Sequence, residues 1–177
     1  SNASVALAAV EAFFGAQRQL PIDVVREGFE SVTSPGRLEV VRRSPTILVD
    51  AAHNPHGAQV LAAAIEESFS FEYIIGVVSV MGDKDVDGVL EALEPVFNEV
   101  VVTWNGSPRA MPTPEIAALA EPVFGRERVH TADDLMSAID KAIELADSAG
   151  TTGVGIVVTG SVVTAAAGRM LMGKTDV

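Results

Sequence analysis

The sequence predicts an α/β domain built on a mostly parallel sheet. Short apolar runs of strand length alternate with amphipathic stretches of about 10–15 residues, the pattern of βαβ units. Of the 177 residues 48% are apolar and only 5% aromatic, a mixture that suits helices packed on a sheet of branched side chains. A chain of this length fits one domain with some extra material and can bury a sizeable core.

Two short helices come first, over 4–15 and 21–30. Gly15 suits the first stop, and Pro21 suits the first turn of the second helix. Ser31, Val32, Thr33, Ser34, Pro35 and Gly36 then break the pattern and mark the best linker. Beyond it, 38–43 and 46–50 read as strands joined by a tight turn at Ser44 and Pro45, hence as an antiparallel pair. Asn54 is placed to cap a helix that opens with Pro55 and runs to about residue 68, with Ala58, Leu61, Ala62 and Ile65 on one face.

A strand over 73–80, a helix over about 85–96 and a strand over 99–104 follow. Thr113, Pro114 and Glu115 offer a cap, a first-turn proline and a first-turn acid for a helix to about residue 123. Residues 128–130 read as a short strand. Thr131 and Asp134 have capping-box spacing ahead of a helix that turns Leu135, Ile139, Ala142, Ile143 and Ala146 inward. A strand over 155–159, a turn at Gly160 and Ser161, and a helix to about residue 172 complete the chain.

The formal charge of -12 argues against broad electrostatic binding to nucleic acid or anionic lipid. It leaves a phosphate ligand open, because a phosphate needs only a few local donors. With no cysteine the chain has no disulfide, thiolate nucleophile or Cys-based zinc site, and a cytoplasmic setting is the expectation. No apolar run reaches the roughly 18 residues of a membrane span.

Ligands of open α/β sheets bind beyond the C-terminal strand ends, where loops lead into helix N-termini. The segment Asp50, Ala51, Ala52, His53, Asn54, Pro55 is one such place. Its carboxylate can accept from paired hydroxyls such as those of a ribose, and His53 and Asn54 can donate toward a phosphate. An Asn cap beside an incidental His is the competing reading. Arg37, just after a proline-glycine turn, could clamp a phosphate bidentately, or could be a solvated surface arginine. Thr159, Gly160 and Ser161 lead from a strand into a helix and suit an anion or a plain Ser cap. Lys84, in the segment from Met81 to Asp85, offers a further cation or simply part of a turn.

Two other patterns are set aside. Gly168 through Thr175 satisfies the P-loop spacing, yet it ends a predicted helix instead of opening one, and Met and Leu replace the small residues required. His53 and His56 lie one helical turn apart, but no third ligand is evident, so no metal site is expected.

Pro35 to Glu39, then Asp50 to Pro55, then Gly82 to Asp85, then Thr159 to Ser161 stand in an order and spacing that resemble the folylpolyglutamate and dihydrofolate synthases, a family related to the Mur peptidoglycan ligases. The likeness covers essentially the whole chain. It implies a Rossmann-like, three-layer domain of the Mur ligase C-terminal type over 38–177, with a six-stranded, mostly parallel sheet and one antiparallel strand. Residues 32–37 would then be the linker and 4–31 the helical tail of a preceding ATPase domain. Residues 1–3 resemble the remnant of a cleaved tag, although Asn2 also fits an adenine-contacting asparagine of the family.

The resemblance further implies ATP-dependent amide formation. A carboxylate of dihydropteroate or of a folate becomes an acyl phosphate, which the amine of L-glutamate attacks. Arg37 would contact the ATP phosphates, Asp50 the ribose and His53 the phosphates or the incoming glutamate. Ser161 would help hold that glutamate, with Asn54 and Lys84 as further nucleotide contacts. The P-loop, the Mg2+ ligands and the carbamylated lysine of the family belong to the ATPase domain, so the fragment alone is expected to be inactive. Two alternatives remain: a Mur-type ligase acting on a peptidoglycan precursor, and a non-catalytic nucleotide-binding module of Rossmann topology. No Gly-x-Gly-x-x-Gly follows an early strand, which disfavours a dinucleotide dehydrogenase.

Overall fold

The structure, a computed structural model, describes residues 2–15, 19–30 and 32–174. Ser1 of the tag-like start, Ser31 of the linker string, Thr175 of the P-loop-like string and the side chain of Asn2 lie outside the described residues. Two compact units form, Ser1–Ser34 and Pro35–Val177.

The first unit holds α1 (Asn2–Phe14) and α2 (Ile22–Glu30). Asp23 in the first turn of α2 suits the positive end of the helix dipole. Two helices cannot surround a core, and α2 buries none of its residues. Phe13, Ile22 and Val24 are exposed, and Leu7, Val10, Leu20 and Val25 line an apolar groove of about 200 Å3.

The second unit is a three-layer sandwich. Its strands are β1 (Glu39–Arg43), β2 (Thr46–Val49), β3 (Tyr73–Val78), β4 (Glu99–Thr103), β5 (Val129–Ala132) and β6 (Val154–Thr159), in the spatial order β1-β2-β6-β3-β4-β5. Only β1 runs antiparallel, paired with β2 across the Ser44–Pro45 turn, as the sequence predicts. The helices are α3 (Pro55–Ser68), α4 (Val86–Leu93), α5 (Thr113–Phe124), α6 (Leu135–Ser148) and α7 (Val162–Leu171).

Alternate strand residues feed two cores. Leu48, Val78, Val102 and Val157 pack with Leu61 and Ile65 of α3, Leu90 and Leu93 of α4, and Ile116 and Phe124 of α5. Val49, Val77, Val101 and Val158 pack on the other face with Leu135, Ile139 and Ala142 of α6 and Ala165 of α7. Each core burial of a Val, Leu or Ile side chain contributes about 1.5–3 kcal/mol before conformational entropy is charged against it.

The structure corrects three local expectations. α5 begins one residue early: Glu115 N and Ile116 N both reach Pro112 O, so Pro112 occupies the cap and Thr113 the first helical position. Thr131 does not cap α6, because it pairs with Val102 as part of β5; Asp134 caps instead, accepting from Ser137 N at 2.8 Å. α4 stops at Leu93 short of 96, since Pro95 has no N–H to continue the ladder. Among the described residues no helix is long and apolar enough to cross a membrane.

Candidate functional site at the strand ends

β2 and β3 lead into α3 and α4 on one face of the sheet, while β6, lying between them, leads into α7 on the other. The C-terminal end of β6 is therefore flanked by topological switch points, where crevices open in such sheets. Backbone bonds stitch the turns there: Asp50 N donates to Val158 O at 3.0 Å, Gly160 N to Ala52 O at 3.1 Å and Ser79 N to Thr159 O at 3.2 Å. Asp50, His53, Asn54, Gly160 and Ser161 thus come together on one rim. Arg37 joins them, because Ala51 N donates to Gly36 O at 2.9 Å.

On the β2 side, Asp50 is only 8% exposed. Its Oδ2 accepts from Leu38 N and its Oδ1 from Ala52 N, both at 2.8 Å. Each oxygen keeps a further lone pair. Asn54 caps α3, accepting from Gly57 N at 2.8 Å, and Pro55 follows at the first helical position. His53 Nδ1 lies 2.9 Å from Ala51 O. A carbonyl only accepts, so Nδ1 carries the hydrogen and Nε2 is left for other partners. Arg37 is exposed. Burial pushes the Glu39 carboxyl up, but the Gly36 N–H and the Arg169 guanidinium outweigh it and hold that carboxyl below its ordinary value.

On the β6 side the Asn105, Ser161 and Thr164 side chains are buried and close on one another, while the buried hydroxyls of Ser79 and Thr159 have no hydrogen-bond partner among the described residues. Gly160 has φ +110°, and a Cβ there would lie 2.5 Å from Ser79 O, so only glycine fits. Ser161 caps α7, accepting from Thr164 N at 2.9 Å. Thr164 Oγ1 donates to Ser79 O at 2.8 Å, so the 2.7 Å contact between the two hydroxyls must be Ser161 donating to Thr164. Asn105 Nδ2 donates to Ser161 Oγ at 3.2 Å and to Thr164 Oγ1 at 2.9 Å. Both hydroxyls have now used one proton and two lone pairs, which is all they possess.

Lys84 lies at the β3 end, where its Nζ is 3.3 Å from Asp83 Oδ2. The same carboxylate takes Arg109 Nη2 at 2.9 and 3.0 Å. The β3 and β4 loops are zipped beside this cluster by Gly82 N to Arg109 O at 2.8 Å and Met111 N to Val80 O at 2.9 Å. Exposed ion pairs of this kind are weak and can re-pair with a ligand. Beyond β5 lies a depression of about 420 Å3 lined by Asp133, Asp140 and Glu144, whose charge does not suit a phosphate.

Reading the sequence did not single out Asn105, Thr164, Arg109 or Arg169. Asn105 and Gly106 do form a turn dipeptide, which could have flagged a strand-end loop. Nothing local could have paired Arg169 with Glu39.

Fold and rim together make this a doubly wound α/β domain with cationic, imidazole and amide groups gathered at a switch point. Residues 36–162 match the family model described as Mur ligase, glutamate ligase domain, and the chain belongs to that family. It is 55% identical over 184 residues to the dihydrofolate synthase/folylpolyglutamate synthase of Mycobacterium tuberculosis, across 98% of the chain and 38% of that protein. A crystal structure of M. tuberculosis folylpolyglutamate synthase complexed with ADP and AMPPCP superposes with a TM-score of 0.91 at 57% identity, covering 95% of this chain and 38% of that one. An E. coli FolC structure in complex with DHPP and ADP gives 0.78 at 25% identity, covering 96% and 37%. The chain thus spans well under half the length of these relatives.

Proposed function

We propose that the chain is the glutamate-ligase portion of an ATP-dependent, cytoplasmic synthase that joins L-glutamate to a carboxylate of dihydropteroate, of a folate, or of both. The observation that carries this is the 55% identity, across 98% of the chain, to a dihydrofolate synthase/folylpolyglutamate synthase. In this reaction a carboxylate oxygen of the acceptor attacks the γ-phosphorus of ATP, and ADP leaves. The glutamate amine then attacks the acyl carbon, phosphate leaves and the amine gives up its proton.

Arg37, exposed and guanidinium-bearing, meets the phosphates, with Lys84 and the Asn54 amide as lesser contacts. The remaining lone pairs of Asp50 accept from the ribose hydroxyls. His53 Nε2 stands at the junction of phosphate and glutamate, where its lone pair suits the proton that the amine loses. The Ser161 hydroxyl is saturated, so it serves the glutamate through the α7 turn that it fixes.

Mg2+ belongs to the family's chemistry, but among the described residues no group of three or more His, Asp or Glu side chains could hold a metal ion. Its ligands are assigned to the rest of the enzyme. The ATPase portion of the same full-length protein is the principal partner, and residues 4–31, with 32–37 as linker to the domain over 38–177, are assigned to its side. The uncovered apolar surface of α1 and α2 supports that assignment. The isolated chain is accordingly inactive.

The test is glutamate incorporation by the full-length protein with ATP and, separately, dihydropteroate or a reduced folate. Incorporation into at least one acceptor is expected; incorporation into neither overturns the proposal.

A further inference from the structure

Arg37 sits between two residues of positive φ, Gly36 at +72° and Leu38 at +44°. Glycine adopts this freely, whereas a leucine there is strained and persists only where its surroundings over-determine it. They do so from two sides. Leu38 N is held by Asp50 Oδ2 at 2.8 Å. Gly36 N donates to Glu39 Oε2 at 2.8 Å, and the same oxygen accepts from Arg169 Nε at 2.7 Å. Glu39 opens β1 and Arg169 lies in the last turn of α7, with side chains 24% and 15% exposed. An ion pair at that depth is screened far less than one on the surface.

We propose that Glu39 and Arg169 are a positioning pair for Arg37, fixing the Gly36–Leu38 turn in the conformation that presents Arg37 to the phosphates of a nucleoside triphosphate. This rests on the assignment of Arg37 to those phosphates. A pair that only tied β1 to α7 would not need its shared oxygen on the N–H of Gly36, the residue before Arg37. With the backbone fixed in advance, a flexible arginine loses less freedom on meeting its ligand. The device also links α7, whose first turn is capped by Ser161, to the arginine on the far side of the same rim.

The test is a double-variant cycle in the full-length enzyme, read as KM for ATP, KM for glutamate and kcat, with an unfolding midpoint for every variant. Glu39→Ala is expected to raise KM for ATP about tenfold while KM for glutamate stays within about twofold. Glu39→Gln keeps an oxygen for both donors and recovers most of that loss. The double variant with Arg37→Ala is no worse in KM for ATP than Arg37→Ala alone, because the pair acts through Arg37. An unchanged KM for ATP in Glu39→Ala, or effects that multiply in the double variant, overturn the proposal. If Glu39→Ala leaves no folded enzyme, Arg169→Ala, which preserves the Gly36–Glu39 bond, takes its place: a raised KM for ATP supports the pair and an unchanged one overturns it. Unchanged ATP kinetics in Arg37→Ala itself would instead remove the assignment of Arg37, and the pair's role with it.

Discussion

The turn after β2 and the turn after β6 share a plan: an apolar strand, a short turn containing small residues (Ala51 and Ala52 in one, Gly160 in the other), then a polar side chain capping the next helix. They differ in what remains for a ligand. After β6, Ser161, Thr164 and Asn105 consume one another's hydrogen-bonding capacity and lie buried. After β2, Asp50 is bonded to the backbone but keeps lone pairs, His53 keeps Nε2, and Arg37 is exposed beside them. One turn closes its polar side chains on one another, and the other leaves groups open to a ligand. A short polar motif thus reports a strand end, whereas its role follows from the hydrogen-bond count.

The largest expected effect belongs to the β6 turn. Gly160→Ala forces a Cβ onto Ser79 O at a positive φ and is expected to cost about 3 kcal/mol or more, measured by urea unfolding of the chain. A loss below about 1 kcal/mol would mean that the stitched rim yields easily to a side chain. Asp50→Ala leaves the N–H groups of Leu38 and Ala52 without their acceptor and should cost about 2–3 kcal/mol in the same measurement. Ser161→Ala removes a cap and opens the closed network, for about 1–2 kcal/mol, and in the full-length enzyme it raises KM for glutamate more than KM for ATP.

The smallest effect is one of pH. The folded-state carboxyl of Glu39 lies below its ordinary 4.5, so its contribution is whole above that value and fades as pH falls through the lowered one. Wild type should therefore exceed Glu39→Gln in stability by under about 1 kcal/mol near neutral pH, and the two should converge in acid. A gap that widens in acid would contradict the sign.

Much of the fold was legible because strands and helices announce themselves by period. The runs over 73–80 and 155–159, the Asn54–Pro55 helix start and the antiparallel 38–43 and 46–50 pair all follow from local rules. The insertion of β6 between β2 and β3 does not, because strand order is set by tertiary packing and leaves no local mark. Cap residues failed where a competing partner won, as when β5 took Thr131 into its ladder. At the rim, the sequence offered Asp50, His53 and Arg37 as polar residues at strand ends. It could not show that Ser161 would be saturated by Asn105 and Thr164, since Asn105 lies 56 residues away in the chain.

The division between the two turns is tested most directly by measuring ATP affinity and unfolding midpoint side by side for Arg37→Ala and Ser161→Ala in the full-length enzyme. Arg37→Ala is predicted to weaken ATP binding about tenfold or more with its midpoint unchanged, while Ser161→Ala lowers the midpoint and leaves ATP affinity within about twofold. The reverse pattern, or the same pattern in both variants, would contradict the account.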